Sequence, residues 1–141
     1  MVGILIVAHG AFGEALIHCA SHVLGKRPLR VRQLGVTVHD DPDAILPQAQ
    51  DLVRQLDEGD GVLVLTDMIG ATPSNIAARL ASPGKVEVVG GVSLPMLIRA
   101  LTDRGERLRP RRRGASQRSA CRNAKLRSRT SSACTRARRP R

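Results

Sequence analysis

Short apolar runs alternate along the chain with segments of helical periodicity. Residues 2–8 and 62–66 are strand-length apolar runs, which is typical of strands buried on both faces of a parallel sheet, and residues 86–89 (VEVV) predict a further strand. Residues 29–38 instead alternate apolar and polar side chains, so we expect a strand nearer the edge of the sheet. The pattern therefore predicts four strands, of which the first and the third are buried on both faces.

A helix is predicted in the segment after the first strand. There Phe12, Leu16, Ala20 and Val23 share one face at the 3.6-residue period of a helix. Gly25 follows this run, and glycine is the residue at which helices most often end. We expect the shared face to be the apolar side of this helix.

Capping signals predict where the other three helices begin. Asp41 can cap a helix that has Pro42 at its first position, and Thr72 stands in the same relation to Pro73. Ser93 can cap the last helix. Four strands that each precede a helix, with short connections, predict an α/β protein with a doubly wound, mainly parallel sheet and helices on both faces. We expect the strand order 2-1-3-4.

Two polar residues stand where such a sheet binds ligands. His9 directly follows the first strand, and Asp67 directly follows the third. Ligands bind at the carboxyl ends of parallel strands where the strand order reverses, and in the order 2-1-3-4 the two side chains would meet there. A carboxylate that accepts a hydrogen bond from one imidazole nitrogen fixes the tautomer and leaves the other nitrogen as a nucleophile.

The turns beside this pair offer backbone donors. Gly10 lies in one turn and Gly70 in another, and each turn precedes a predicted helix N-terminus whose N–H groups can bind a phosphoryl group. Thr72 could cap its helix, lie beside the phosphoryl group, or do both. The histidine, the carboxylate and the two amide-rich turns together indicate a phosphohistidine site.

Three motifs around these residues resemble the mannose-class IIA domains of the bacterial sugar phosphotransferase system. Residues 3–10 (GILIVAHG) with 13–16 (GEAL) are similar to the start of such a domain. Residues 61–67 (GVLVLTD), continued by 70–75 (GATPSN), are similar to the second motif, and residues 90–97 (GGVSLPML) to the third. Three motifs in the right order and spacing are far more specific than any one of them.

The resemblance implies a phosphotransferase that works as a phosphocarrier. The histidine matching His9 takes a phosphoryl group from the carrier protein HPr and passes it to a IIB domain or protein, which leads to a membrane permease. The aspartate matching Asp67 orients the imidazole, and the hydroxyl residue matching Thr72 lies beside the phosphoryl group. No metal or organic cofactor is implied. The role would be sugar uptake or regulation, and family members form homodimers.

The composition fits one domain with an aliphatic core. The chain has 141 residues, 42% of them apolar, and Phe12 is its one aromatic residue. No apolar stretch reaches the roughly 18 residues of a membrane-spanning helix. The N-terminus lacks the basic region and cleavage site of a signal peptide, so we expect a cytoplasmic protein. Cys19, Cys121 and Cys134 are odd in number and widely spaced, which argues against a disulfide framework and a cysteine-rich metal site.

Charge divides the chain at about residue 104. Residues 1–103 carry 8 Lys and Arg against 11 Asp and Glu, a net charge of −3. Residues 104–141 carry 15 Lys and Arg with Glu106 as the one acid, a net charge of +14. This division excludes a uniformly basic nucleic-acid-binding domain. We expect a IIA-type domain over residues 1–103 and an Arg-rich tail over 104–141, which has too few apolar side chains to order by itself.

The tail departs from the family pattern, in which a further amphipathic helix precedes a short antiparallel strand exchanged between subunits. Nothing after Leu108 resembles either element. We favour the hypothesis that the reading frame shifts near residues 104–110, which would leave the swapped strand missing. The alternative is a polycation that binds nucleic acid or a membrane surface through phosphates. Nucleic acid is the less favoured partner, because the tail has no aromatic residue on which bases could stack.

Other interpretations remain open. The protein could be the phosphoryl-donor subunit of a dihydroxyacetone kinase, a non-catalytic regulator that binds nucleic acid through the tail, or a carrier that has kept the fold and lost the transfer. His18 and His22 have the spacing of a metal-chelating pair on a helix, but no nearby carboxylate completes a site. We interpret His39 as part of a solvated turn.

Overall fold

The computed structural model describes residues 1–104 as four strands that alternate with four helices. The elements in chain order are β1 (Gly3–His9), α1 (Phe12–Leu24), β2 (Val31–Val36), α2 (Pro42–Leu56), β3 (Val62–Thr66), α3 (Thr72–Leu80), β4 (Val86–Gly90) and α4 (Leu94–Thr102). The predicted alternation of strands and helices is therefore confirmed.

The four strands form one parallel sheet in the order β2-β1-β3-β4. Ile4 of β1 is in register with Val31 of β2 on one side and with Leu63 of β3 on the other. The α/β class and the strand order 2-1-3-4 are confirmed, and β2 lies at an edge, as its alternating pattern indicated. The order reverses between β1 and β3, so a crevice opens at the carboxyl ends of these two strands.

Aliphatic side chains fill the space on both faces of the sheet. Alternate residues of β1 point to opposite faces: Leu5 and Val7 to one, Ile4 and Ile6 to the other. Helices α2 and α3 cover the first face, and α1 and α4 cover the second. Because β1 is buried on both faces, its sequence is a continuous apolar run rather than an alternating one.

The predicted caps of two helices are confirmed, and one is wrong. The Asp41 carboxylate accepts a hydrogen bond from the N–H of Asp43 at 3.0 Å, and the Ser93 hydroxyl accepts one from Met96 at 3.4 Å. Thr72, however, is the first helical residue of α3, and Ala71 before it is the N-cap, with an extended backbone and no side-chain bond. A residue already in helical geometry is past the position from which a hydroxyl reaches the N–H groups of the first turn.

The apolar face predicted for α1 is only half correct. Leu16 and Ala20 are buried against the sheet, together with Gly13, but Phe12 is 45% exposed and Val23 is 59% exposed. Small residues bring α1 close to the sheet: a Cβ on Gly13 would lie 3.1 Å from Ile6 Cγ2. The contact stripe therefore follows Gly13, Leu16 and Ala20, and it leaves Phe12 and Val23 exposed.

The described part of the chain ends beside the start of β1. The carbonyl oxygen of Arg104 accepts a hydrogen bond from Val2 at 3.5 Å, and its guanidinium donates to the Leu29 carbonyl at 2.5 Å. The rest of the predicted tail, with the frameshift hypothesis and the missing swapped strand, lies outside the described residues. Within residues 1–104, no helix is both long and apolar enough to cross a membrane.

Candidate functional site

His9 and Asp67 meet at the crevice between the carboxyl ends of β1 and β3. His9 is the last residue of β1, and Asp67 directly follows β3. Asp67 Oδ2 lies 2.6 Å from His9 Nδ1 and also accepts a hydrogen bond from the His9 backbone N–H at 2.9 Å. The approach of these two side chains, predicted from the strand order alone, is confirmed.

Hydrogen bonds hold the Asp67 carboxyl in its charged form. Burial raises the pKa of Asp67, but the backbone N–H of His9, its ring N–H and the N–H of Met68 outweigh that effect, and the pKa lies below its usual value of 3.8. The Met68 N–H donates to the second carboxylate oxygen at 2.6 Å. At neutral pH the carboxylate is therefore ionised and can only accept hydrogen bonds.

The charge of Asp67 assigns the tautomer of His9. Since an ionised carboxylate cannot donate, the proton of the 2.6 Å bond belongs to Nδ1 of the imidazole. The lone pair of a neutral ring is then on Nε2. The His9 side chain is 43% exposed, whereas that of Asp67 is 15% exposed. The site thus exposes an oriented imidazole and keeps the carboxylate largely buried.

The turn after β1 is fixed to the neighbouring strand. Gly10 has a positive φ of 52°, and its N–H donates to the carbonyl oxygen of Val36 at 3.0 Å. That N–H is occupied, but the N–H groups of residues 11–14 have no acceptor among the described residues. Sequence reasoning missed Gly35, where a Cβ would overlap the Gly10 carbonyl oxygen. A glycine inside an otherwise ordinary strand was the available signal for this close approach.

The turn after β3 supplies the other predicted group of residues. Gly70 lies in this turn with a positive φ of 88°, and α3 begins two residues later at Thr72. Thr72 is half-buried, and its hydroxyl has no hydrogen-bond partner in the described part of the chain. Gly10, Gly70 and Thr72 therefore stand in the two turns that follow β1 and β3, and within residues 1–104 none of them bonds to His9 or Asp67.

The edge of the sheet around His9 is apolar and acidic. Phe12, Val38, Met68 and Ile69 are exposed apolar side chains in the segments that follow β1, β2 and β3. The loops after the four strands, with the first turn of the helix that each loop enters, contain no Lys or Arg. The acidic residues of these segments are Glu14, Asp40, Asp41, Asp43 and Asp67.

His18 and His22 have no third metal ligand in the described structure. Both are exposed on α1, and residues 1–104 contain no group of three or more His, Cys, Asp or Glu side chains that could hold a metal ion. Cys19 beside them is an exposed free thiol. Of the histidines in residues 1–104, His9 is the one whose ring is bonded to a carboxylate.

The fold and the site together define the class of protein. It is a doubly wound α/β domain with a carboxylate-bound histidine where the strand order reverses. The chain matches the model of the family described as PTS system fructose IIA component over residues 3–109, and it belongs to that family. The resemblance to mannose-class IIA domains inferred from the three motifs is thereby confirmed. The matched span contains every predicted site residue.

Two of the curated relatives are much longer proteins. The PTS system mannose-specific EIIAB component of Escherichia coli (strain K12) is 29% identical over 106 residues, which cover 74% of this chain and 32% of the relative. The chain thus spans about a third of the length of that relative. The transcriptional regulatory protein LevR of Bacillus subtilis (strain 168) is 37% identical over 68 residues, 48% of this chain and 7% of LevR.

Solved structures of phosphotransferase components share the fold. The EIIA component from Streptococcus agalactiae aligns with a TM-score of 0.64 and 28% identity, covering 74% of this chain and 79% of that one. The PTS IIA protein associated with the fucose utilization operon of Streptococcus pneumoniae aligns with a TM-score of 0.67 and 26% identity, covering 89% and 93%.

Proposed function

We propose that this chain is a phosphocarrier in which His9 Nε2 accepts a phosphoryl group from phosphorylated HPr and passes it to a IIB domain or protein. The observation that carries this proposal is the 2.6 Å bond between His9 Nδ1 and Asp67, made by a ring that is itself half exposed. The family of phosphotransferase IIA components supports the same role. The process served would be sugar uptake or its regulation, in the cytoplasm.

The transfer is an in-line displacement between two imidazoles. Nε2 of His9 attacks the phosphorus while the bond from phosphorus to the donor's histidine nitrogen breaks. The donor ring keeps the proton on its other nitrogen and leaves neutral. His9 keeps its Nδ1 proton, so positive charge develops on its ring opposite the Asp67 carboxylate at 2.6 Å. That carboxylate stabilises the charge, and it requires no reorganisation at the moment of transfer.

Unoccupied donors beside the ring would bind the phosphoryl oxygens. The N–H groups of residues 11–14 and the Thr72 hydroxyl have no acceptor within the described residues. Both sets stand at helix N-termini, where N–H groups and the helix dipole favour an anion. Gly10 would serve by shaping its turn, because its own N–H already donates to Val36. Gly70 would do the same for the turn before Thr72.

The surface around His9 fits protein partners with an apolar and basic face. A phosphoryl group moves directly between two histidines, so the partner's surface must cover the edge around His9. That edge offers Phe12 and Ile69 as exposed apolar side chains, and its loop segments contain carboxylates and no Lys or Arg, although Arg79 of α3 pairs with Asp43. Complementary charge speeds encounter and orients the two proteins. HPr and IIB would use this edge in turn, and the membrane permease is reached only through IIB.

Phosphorylation by a purified cascade tests the proposal. The wild-type chain is incubated with enzyme I, HPr and phosphoenolpyruvate, and an acid-labile phosphoryl group is sought by intact mass spectrometry. We expect one group on the wild type and none on His9→Ala. His22→Ala is the matched control, because His22 is an exposed histidine in the last turn of α1, away from the edge around His9, and its loss should leave labelling intact.

The phosphoryl group on His9 also shows which protein accepts it next. Adding a IIB protein should discharge phosphorylated His9, whereas a dihydroxyacetone kinase donor subunit would be discharged only by the kinase subunits with their substrate. Absence of label on a wild-type chain with a native circular dichroism spectrum would contradict the carrier proposal. The alternative is a regulator that binds nucleic acid through residues 104–141. It predicts that nucleic-acid binding persists in His9→Ala.

A further inference from the structure

The turn between Asp67 and α3 is held by very few hydrogen bonds. In the described structure, Met68 donates only to the carboxylate of Asp67, its neighbour, at 2.6 Å. The N–H groups of residues 69–71 have no acceptor there. Yet this turn must hold Asp67 against His9 and must set where α3 begins. Some other contact has to fix its conformation.

Ile69 makes that contact although it is one of the most exposed apolar residues of the described chain. Its side chain is 78% exposed, but Cγ1 occupies the place that a Cβ on Gly90 would take. Gly90 is the register partner of Thr66, the residue directly before Asp67. The Ile69 side chain therefore lies back over the end of β4, beside the strand end from which Asp67 emerges.

A buried hydroxyl lies beside the place over Gly90 that Ile69 Cγ1 occupies, which we call the seat. Thr66 is 1% exposed, and its hydroxyl oxygen has no hydrogen-bond partner within residues 1–104. That oxygen would be 3.4 Å from a Cβ on Gly90, the same place that Ile69 fills. A buried hydroxyl without a hydrogen-bond partner lowers the stability of the fold. A gain in stability from the Thr66 hydroxyl therefore does not explain why Ile69 lies over Gly90. The seat is better explained by what it does for the turn.

We propose that Ile69 is a positioning residue, whose seat on Gly90 holds the turn after β3 in the conformation that keeps Asp67 bonded to His9. The inference rests on the proposed function of His9 where phosphoryl transfer is concerned. The exposed Ile69 side chain would then contribute little to the free energy of unfolding but would be needed to hold Asp67 against His9. Only glycine at position 90 leaves room for the seat.

Two substitutions remove the same contact from opposite sides. Ile69→Ala deletes Cγ1, and Gly90→Ala fills the seat so that Ile69 is displaced. We expect each to slow phosphoryl transfer to His9 by on the order of tenfold or more, because small displacements of a catalytic group are costly. We expect each to raise the pKa of Asp67 towards 3.8, measured by carboxyl ¹³C NMR, as the bonds to His9 loosen.

Matched variants separate positioning from packing. Ile69→Val keeps Cγ1 and should restore transfer and the Asp67 titration. Leu29→Ala removes an apolar side chain of similar exposure, 73%, far from the site, and should leave both unchanged. The melting temperature of Ile69→Ala should shift by no more than about 2–4 °C, as for other surface substitutions. In the Ile69→Ala background, Gly90→Ala should add little further loss, because the seat is already empty.

Each other result overturns the proposal. Unchanged transfer and an unchanged Asp67 titration in Ile69→Ala would show that the seat has no role. Slower transfer with an unchanged titration would show that Ile69 contacts the partner instead of positioning Asp67. If phosphorylated HPr labels no variant, the wild type included, the proposed function fails, and the titration of Asp67 still decides whether Ile69 positions it.

Discussion

Asp67 differs from an ordinary surface carboxylate in that three hydrogen bonds converge on it. Two come from the backbone and ring of His9 and one from Met68. Asp67→Asn keeps the shape but presents an amide that can donate to Nδ1, which favours the tautomer with its proton on Nε2. We expect transfer to His9 to fall by on the order of 10²–10⁴-fold, as when a carboxylate that orients a catalytic histidine is amidated in other enzymes.

Rapid-quench measurement of label on His9 checks this expectation. Asp51→Asn is the control, because Asp51 forms only an exposed ion pair with Arg54 at 3.1 Å on α2, and such pairs contribute little. Transfer by Asp67→Asn at the wild-type rate would mean that the carboxylate does not select the tautomer.

The lowered pKa of Asp67 also predicts how stability depends on pH. A carboxyl whose pKa is lower in the folded chain than in the unfolded chain stabilises the fold above the unfolded value, here about 3.8. That contribution is lost as the pH falls through the folded pKa. We therefore expect the free energy of unfolding to fall below about pH 4 more steeply in the wild type than in Asp67→Asn.

Urea denaturation from neutral pH down to about pH 3 measures this difference. The comparison belongs in an Asp40→Asn background, because bonds from the backbone N–H and hydroxyl of Thr37 also lower the pKa of Asp40. Parallel curves for the two proteins in that background would contradict the role of the His9 bonds in holding Asp67 ionised.

At the scale of elements, β2 and the turn after β1 approach each other through their backbones. A Cβ on Gly35 would overlap the carbonyl oxygen of Gly10, and neither backbone can move cheaply. Gly35→Ala should therefore cost about 1–3 kcal/mol in unfolding free energy, the range for overpacked sites. It should also disturb the bond from Gly10 to Val36 and so slow transfer to His9.

Gly25→Ala separates the two effects. Gly25 ends α1 at a positive φ of 67° with open space around it, so alanine there strains the backbone at the end of the helix remote from His9. Stability should fall without a change in the amide resonances of His9 and Gly10. Gly35→Ala with unperturbed resonances at those two residues would show that the close approach does not shape the site.

Elements with strong periodicity were predictable, and close backbone approaches were not. The apolar run ending at His9 and the carboxylate after β3 defined the site because strand order alone decides which strand ends meet. The exposure of Phe12 was missed because it depends on how closely α1 lies on the sheet, which Gly13 sets. The cap at Ala71 instead of Thr72 was missed because alanine has no side chain that can cap a helix, so the sequence signal fell on the threonine before Pro73.

For the molecule as a whole, the opposite ends of α1 provide a test of where partners bind. Phe12 stands at its start beside His9 and is 45% exposed, whereas Val23 is 59% exposed in its last turn, towards the opposite edge of the sheet. Exposed aromatic side chains at the centre of an interface contribute more binding energy than most other contacts. Phe12→Ala should weaken the binding of HPr by about fivefold or more, equivalent to roughly 1 kcal/mol, mainly through faster dissociation.

Val23→Ala removes an exposed apolar side chain from the same helix, and we expect it to leave the affinity for HPr unchanged. Isothermal titration calorimetry gives the equilibrium constant, and surface plasmon resonance separates the two rates. Comparable weakening by both substitutions would place the partner along the whole of α1 instead of at the edge around His9. If only Val23→Ala weakened binding, the surface that binds HPr would lie away from the carboxyl ends of the strands. Direct transfer between the two histidines would then be geometrically impossible in that complex.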